Sequence, residues 1–288
     1  MAATLPPFGP AHLAILAAVP LTAAALGAVA RRRPASVPAI RRALAALIAV
    51  AALGGLVPLA TGAVPFPYGL PLDLCDVVEW VTVWALLGAR PWALEVAWFL
   101  GLAGSGMALL TPDVGTELGS WSALQFFAAH GGVVAAVLFL AGAGALRPRP
   151  GAWWRVFVAL NAYAAAVGLF DARFGTNYMY LREKPSSATL LDLLGPWPWY
   201  ILAAQPIALA LLLALDAPGR RARRRAAGCA APATGPGPPH RATLRSRSAF
   251  PMTETEDRLI AALATTGLRS TPNAGYRAPA AIATPTAL

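Results

Sequence analysis

Charge is what this chain has least of. Only 12% of its 288 residues are charged, where a soluble domain carries about 25%. With 57% of the residues hydrophobic, too few polar side chains exist to cover a water-facing surface, so the bilayer is expected to be the main solvent. Cysteine is almost as scarce, with two residues, Cys75 and Cys229. On the topology below they fall on opposite sides of the membrane, which excludes an internal disulfide and leaves no metal-ligand spacing. Also missing is a basic stretch ahead of the first apolar run, which starts at His12, and no small-residue cleavage site follows it. That run reads as a retained helix.

The formal charge of +10 suggests nucleic acid until it is divided along the chain. Residues 1–216 hold 12 Lys+Arg against 10 Asp+Glu, and residues 217–288 hold 11 against 3. The basicity belongs to the tail, where it is a topology signal, and no nucleic-acid partner is expected. Composition divides the chain at the same point. Residues 1–216 form a transmembrane domain, and 217–288, rich in Ala, Pro, Arg, Ser and Thr, read as a disordered basic cytoplasmic tail. Arg220, Arg221, Arg223, Arg224 and Arg225 are placed to meet anionic lipid, or simply to anchor the last helix.

What is abundant is apolar sequence in helix-length runs. Seven segments approach the roughly 20 residues needed to cross a hydrocarbon core: His12–Ala30, Ala43–Ala60, Leu72–Ala89, Trp92–Leu110, Ala123–Leu146, Trp153–Phe170 and Trp197–Leu215. Their length and Ala/Leu/Val content predict helices, since barrel strands are shorter and alternate. The fold class expected is all-α, a polytopic transmembrane bundle of about seven helices. Arginines crowd the first and fifth connections and the end of the seventh segment and Arg90 lies in the third, while the N-terminus and the second and fourth connections carry none and the sixth carries only Arg173, Arg182 and Lys184. The N-terminus is therefore expected outside and the C-terminus in the cytoplasm, as a multi-pass protein of the cell membrane. Trp92, Trp121, Trp153, Trp154, Trp197 and Trp199 lie at segment ends, as an aromatic belt does. Gly101–Gly106 and Gly142–Gly144 read as close-packing sites.

Ionisable groups inside such segments are costly and tend to face a cavity or each other. Here they gather in one layer, the expected outer third. The third segment opens with Asp73, Cys75, Asp76 and Glu79. Cys75 and Glu79 share a helix face at i,i+4, and Asp76 and Glu79 pair at i,i+3. His130 lies in the fifth segment, His12 starts the first, and Asp113 and Asn177 follow the fourth and sixth. A thiol and an imidazole at similar depth allow a thiolate nucleophile activated by a base. The same residues also suit a small apolar filler and a cross-helix hydrogen bond, and the nearby carboxylates oppose thiolate formation.

Several stretches occur together in order: Phe8-Gly9-Pro10-Ala11-His12, Leu70-Pro71-Leu72-Asp73-Leu74-Cys75, Leu110-Thr111-Pro112-Asp113, Phe126-Phe127-Ala128-Ala129-His130-Gly131, Asn177-Tyr178-Met179-Tyr180-Leu181 and Gly195-Pro196-Trp197-Pro198-Trp199-Tyr200. Over residues 8–215 this set resembles the YwaF-like family of bacterial integral membrane proteins and its animal relative, transmembrane protein 164. The resemblance implies a phospholipid acyltransferase with a cysteine nucleophile, which carries onto Cys75, and a general base, which carries onto His130. It departs at Asp73, where such motifs often have His.

The expected function is thus a thiol-dependent lipid acyltransferase or acyl hydrolase. Its catalytic residues are Cys75 and His130, its pocket is formed by His12, Asp73, Asp76, Glu79, Asp113 and Asn177, its partners are membrane lipids, and no cofactor or metal is called for. The alternatives are a small-molecule or ion transporter or binding protein, favoured by the acidic residues, and a structural protein acting through its tail.

Overall fold

The computed structural model describes residues 6–112, 119–185 and 190–229, without the side chains of 190 and 224–229. Asp113 and residues 230–288 lie outside the described residues. Among those described, all regular structure is helical. Six helices are long and apolar enough to cross a membrane. They are α1 (Pro10–Arg32), α2 (Val37–Gly55, entered through a 3-10 turn at Pro34–Ser36), α4 (Pro91–Leu110), α5 (Trp121–Gly142), α6 (Ala152–Phe174) and α7 (Trp199–Cys229). Four of them begin where the sequence supplies a start signal: proline in the first turn of α1, α2 and α4, and the Ser120 side chain accepting the Ala123 N–H at 3.2 Å in α5.

The remaining segment, α3 (Leu74–Gly88), has only 15 residues. It is a member of the bundle without spanning length, because Pro65, Pro67 and Pro71, with Gly62 and Gly69 in left-handed conformation, hold the preceding chain in turns. A short helical turn at Val57–Ala60 leads into that loop. At the other end, α7 passes the compositional boundary at residue 216. Residues 217–229 are helical through Pro218, not part of an irregular tail.

The bundle is built around α5. Ala129, Val133, Ala136, Val137, Phe139 and Leu140 of α5 are all buried, against α1, α2, α3 and α4. Lipid is as apolar as leucine, so these contacts are driven by close packing, not by water exclusion. A Cβ on Gly132 would lie 3.0 Å from Ile48, and one on Gly101 would lie 3.0 Å from Val133. Gly101 and Gly132 are therefore contact points, whereas a Cβ on Gly104, Gly106 or Gly142 would meet no such atom within 4 Å.

α4 is not regular. Its middle, Ala97–Ser105, is π-helical, a form that usually marks a functional position.

The arginine-rich end of the bundle is tied down by ion pairs. Glu95 is 3% exposed and its carboxylate accepts four hydrogen bonds, three from Arg149 (2.7, 2.9 and 3.1 Å) and one from Arg155 (3.0 Å). Asp216 is held by Arg220 at 3.1 Å and Arg223 at 3.4 Å. Arg41 donates to the Leu86 carbonyl at the C-terminal end of α3, 2.6 Å away. Trp92, Trp121, Trp154, Trp197 and Trp199 are exposed at helix ends, as a belt requires.

Candidate functional site

The site is organised by the start of α3. Asp73 has extended backbone and is the N-cap, and its N–H donates to the Asp76 carboxylate at 3.2 Å. Two other chain segments, α6 and the turn at Tyr178–Tyr180, hold this start in place. The Tyr163 hydroxyl of α6 donates to the Leu72 carbonyl at 2.8 Å, and the Met179 N–H donates to Asp73 Oδ1 at 2.7 Å. The Tyr178 hydroxyl accepts the Leu70 N–H at 2.8 Å and donates to the Pro67 carbonyl at 2.7 Å. Burial pushes the Tyr178 phenol above its ordinary pKa, so it keeps the proton that it donates. The turn around Tyr178 depends in turn on fully buried Asp171, whose Oδ1 accepts the Thr176 hydroxyl at 2.6 Å and the Tyr178 N–H at 3.1 Å.

Beside this start lies a cleft of about 270 Å³ between α2 and α3, with the loop before α3 and Tyr178 closing its side. Asp73, Asp76 and Glu79 all line it, with Trp80, Leu56 and Leu70. Cys75 is not in the lining. It is half-buried, one turn before Glu79 on α3, and carries a free thiol.

The Val78 face of α3 points toward Gly101. Val78 of α3 and Val133 and Val137 of α5 all lie within 4 Å of the position of a Gly101 Cβ. Cys75 is one helical step beyond Val78 toward the N-terminal end of α3, and His130 is the corresponding step beyond Val133 on α5. Because α4 runs the opposite way, the step beyond Gly101 in that direction is Ser105. The register therefore brings Cys75, His130 and Ser105 into one layer. Within it, no hydrogen bond joins Cys75 to His130.

His130 is 8% exposed. Its Nδ1–H donates to the Phe126 carbonyl at 2.9 Å, and because a carbonyl can only accept, that bond fixes the tautomer and leaves Nε2 as a free acceptor. Phe126 stacks on the ring at 4.2 Å between centroids. Ser105, at 1% exposure, has a hydroxyl with no hydrogen-bond partner. The second orphaned oxygen among the described residues is Asp171 Oδ2.

The other residues expected in a pocket do different things. His12 is fully buried, but its Nδ1 accepts the Phe8 N–H at 2.8 Å and its Nε2–H donates to the Leu109 carbonyl at 2.7 Å, so it clamps the start of α1 to the end of α4. Asn177 spends its amide on Arg182 and Glu183 within its own loop. Neither lines the cleft. Among the described residues no three His, Cys, Asp or Glu side chains converge to hold a metal ion. Sequence reasoning missed Ser105, Tyr163 and Tyr178. Ser105 sits in a run of small residues that reads as packing, and nothing in that run announces a π-helix.

An all-helical bundle with six spanning helices and a polar layer buried at one end defines a multi-pass integral membrane protein. The chain belongs to the TMEM164 family, whose family model matches residues 7–216. The match covers the segment on which the resemblance to transmembrane protein 164 rests. Comparison with curated proteins returns no match, and comparison with solved structures returns none.

Proposed function

We propose that the protein transfers or hydrolyses lipid acyl groups through Cys75. The observation that carries this reading is the His130 tautomer. A buried imidazole in the layer of the thiol has its proton committed to a backbone carbonyl and its other nitrogen unoccupied, as a general base requires.

The chemistry is written on these groups as follows. His130 Nε2 takes the Cys75 proton, and the thiolate attacks the carbonyl carbon of a lipid ester. A carbon–sulfur bond forms, and the carbonyl π electrons move onto oxygen. The Ser105 hydroxyl, unsatisfied in the same layer, donates to that oxyanion. Collapse expels the lipid alkoxide, which leaves with the proton held by His130. An acceptor alcohol, or water in the hydrolytic case, then attacks the thioester. His130 accepts its proton and returns it to the departing sulfur. Membrane lipids are the partners this chemistry calls for.

The experiment is acyl exchange measured by mass spectrometry in vesicles of defined chain composition. Cys75→Ala and His130→Ala should each lower exchange by at least about a hundredfold while expression stays near that of the parent. Full exchange by either variant overturns the mechanism.

A further inference from the structure

The cleft holds a group that the thiol chemistry does not use. Glu79 lines it, is only 3% exposed, and makes no hydrogen bond or ion pair with any described residue. An ionised carboxylate buried in a membrane helix without a partner costs several kcal/mol, which is relieved by taking up a proton or by an opposite charge brought in by a ligand. Asp73 and Asp76, at the rim of the same cleft, add to the negative field but already serve the backbone, Asp73 for Met179 and Asp76 for Asp73. That leaves Glu79 as the one acid in the cleft wholly free for a ligand.

The walls select among cations. A small metal ion needs several convergent oxygen ligands, and no group of three such side chains converges among the described residues. The rest of the lining is apolar or aromatic. Leu56 and Leu70 offer alkyl surface, Trp80 offers an indole, and Tyr178, with its hydroxyl committed to Leu70 and Pro67, offers its ring. Aromatic faces and one carboxylate suit a diffuse, alkyl-bearing cation. We propose that the cleft binds an organic ammonium group, carried by a lipid headgroup or by a free amine, with Glu79 as its counter-ion. Cys75 is not part of the lining, although it lies one turn from Glu79 on α3.

The test uses the full chain in nanodiscs of phosphatidylglycerol, which has no ammonium group, titrated with radiolabelled choline. Saturable binding is expected, weakened at least about tenfold in Glu79→Gln and retained in Cys75→Ala, so failure of the thiol mechanism would not disturb it. Adding phosphatidylcholine to the discs should compete if the natural source is a headgroup and leave binding unchanged if it is a free amine. Absence of saturable binding, or undiminished binding by Glu79→Gln, overturns the proposal. So does displacement of choline by sodium or calcium at equal concentration, which marks a metal-ion site. If Glu79→Gln does not fold, Trp80→Ala at the exposed indole replaces it, with an expected loss of about two- to fivefold. No loss there overturns the proposal as well.

Discussion

Buried glutamates at the two ends of the bundle are treated in opposite ways. At the arginine-rich end, Glu95 and Asp216 are 3% and 2% exposed, and each is held by two arginines. At the other end, Glu79 is equally buried and has no partner among the described residues, Ser105 has an unsatisfied hydroxyl, and His130 has a free ring nitrogen. Burial is the same, so it is pairing that separates Glu79 from Glu95 and Asp216. Asp171, fully buried at the Glu79 end, is paired through Oδ1 and holds its turn. The contrast also weighs against a conduction path, because the acids at the arginine-rich end are already neutralised in place.

The largest effect that would break this comparison is a reversed topology. On the arginine count the arginine-rich end is expected in the cytoplasm. A periplasm-active phosphatase fused after Arg225 should be inactive, and one inserted near Ser187 active. The opposite pattern would move the unpaired layer to the cytoplasmic side. Next comes Ser105→Ala. It should lower acyl exchange by about a hundredfold with little change in stability, since an oxyanion donor acts only in the transition state. A stability loss with unchanged exchange would make Ser105 a packing residue.

The paired end has its own test. Glu95→Gln should cost about 1.5–3 kcal/mol of stability, because hydrogen bonds to a charged group are lost, and should leave exchange intact below the new melting temperature. A loss of exchange with no change in stability would erase the distinction between the ends. The smallest effect is expected from removing residues 230–288. Their Pro, Ala and Arg content favours no packed core, so melting should shift by no more than about 0.5 kcal/mol. A large loss would mean that the tail supports the helices.

Much of the bundle was legible because a bilayer writes its constraints into composition. Runs of about 20 apolar residues have few alternatives to a spanning helix, and six of the seven segments hold to that. The third fails on length because prolines and glycines before Leu74 keep the chain in turns, while the hydropathy of Leu70 and Leu72 hides them. The end of α7 was misread because Pro218 and the arginines suggest a break, yet the helix continues to Cys229. In the site, Asp73, Asp76 and Glu79 were readable as a cluster because spacing on one helix fixes their common face. His12 Nε2–H is committed to Leu109 of α4, far away in sequence, and Ser105 with its orphaned hydroxyl lies in a π-helical stretch; spacing carries no trace of either.

The shortness of α3 matters to the lipid as much as to the protein. Its 15 residues span only about 22 Å at 1.5 Å per residue, against a hydrocarbon core of about 30 Å. Trp80, Trp84 and Leu87 leave one side of it open to the bilayer. A hydrophobic wall shorter than the core is met by thinning of the bilayer, among other adjustments. Thinning beside the cleft would draw the interface inward and bring headgroups toward the depth of Glu79.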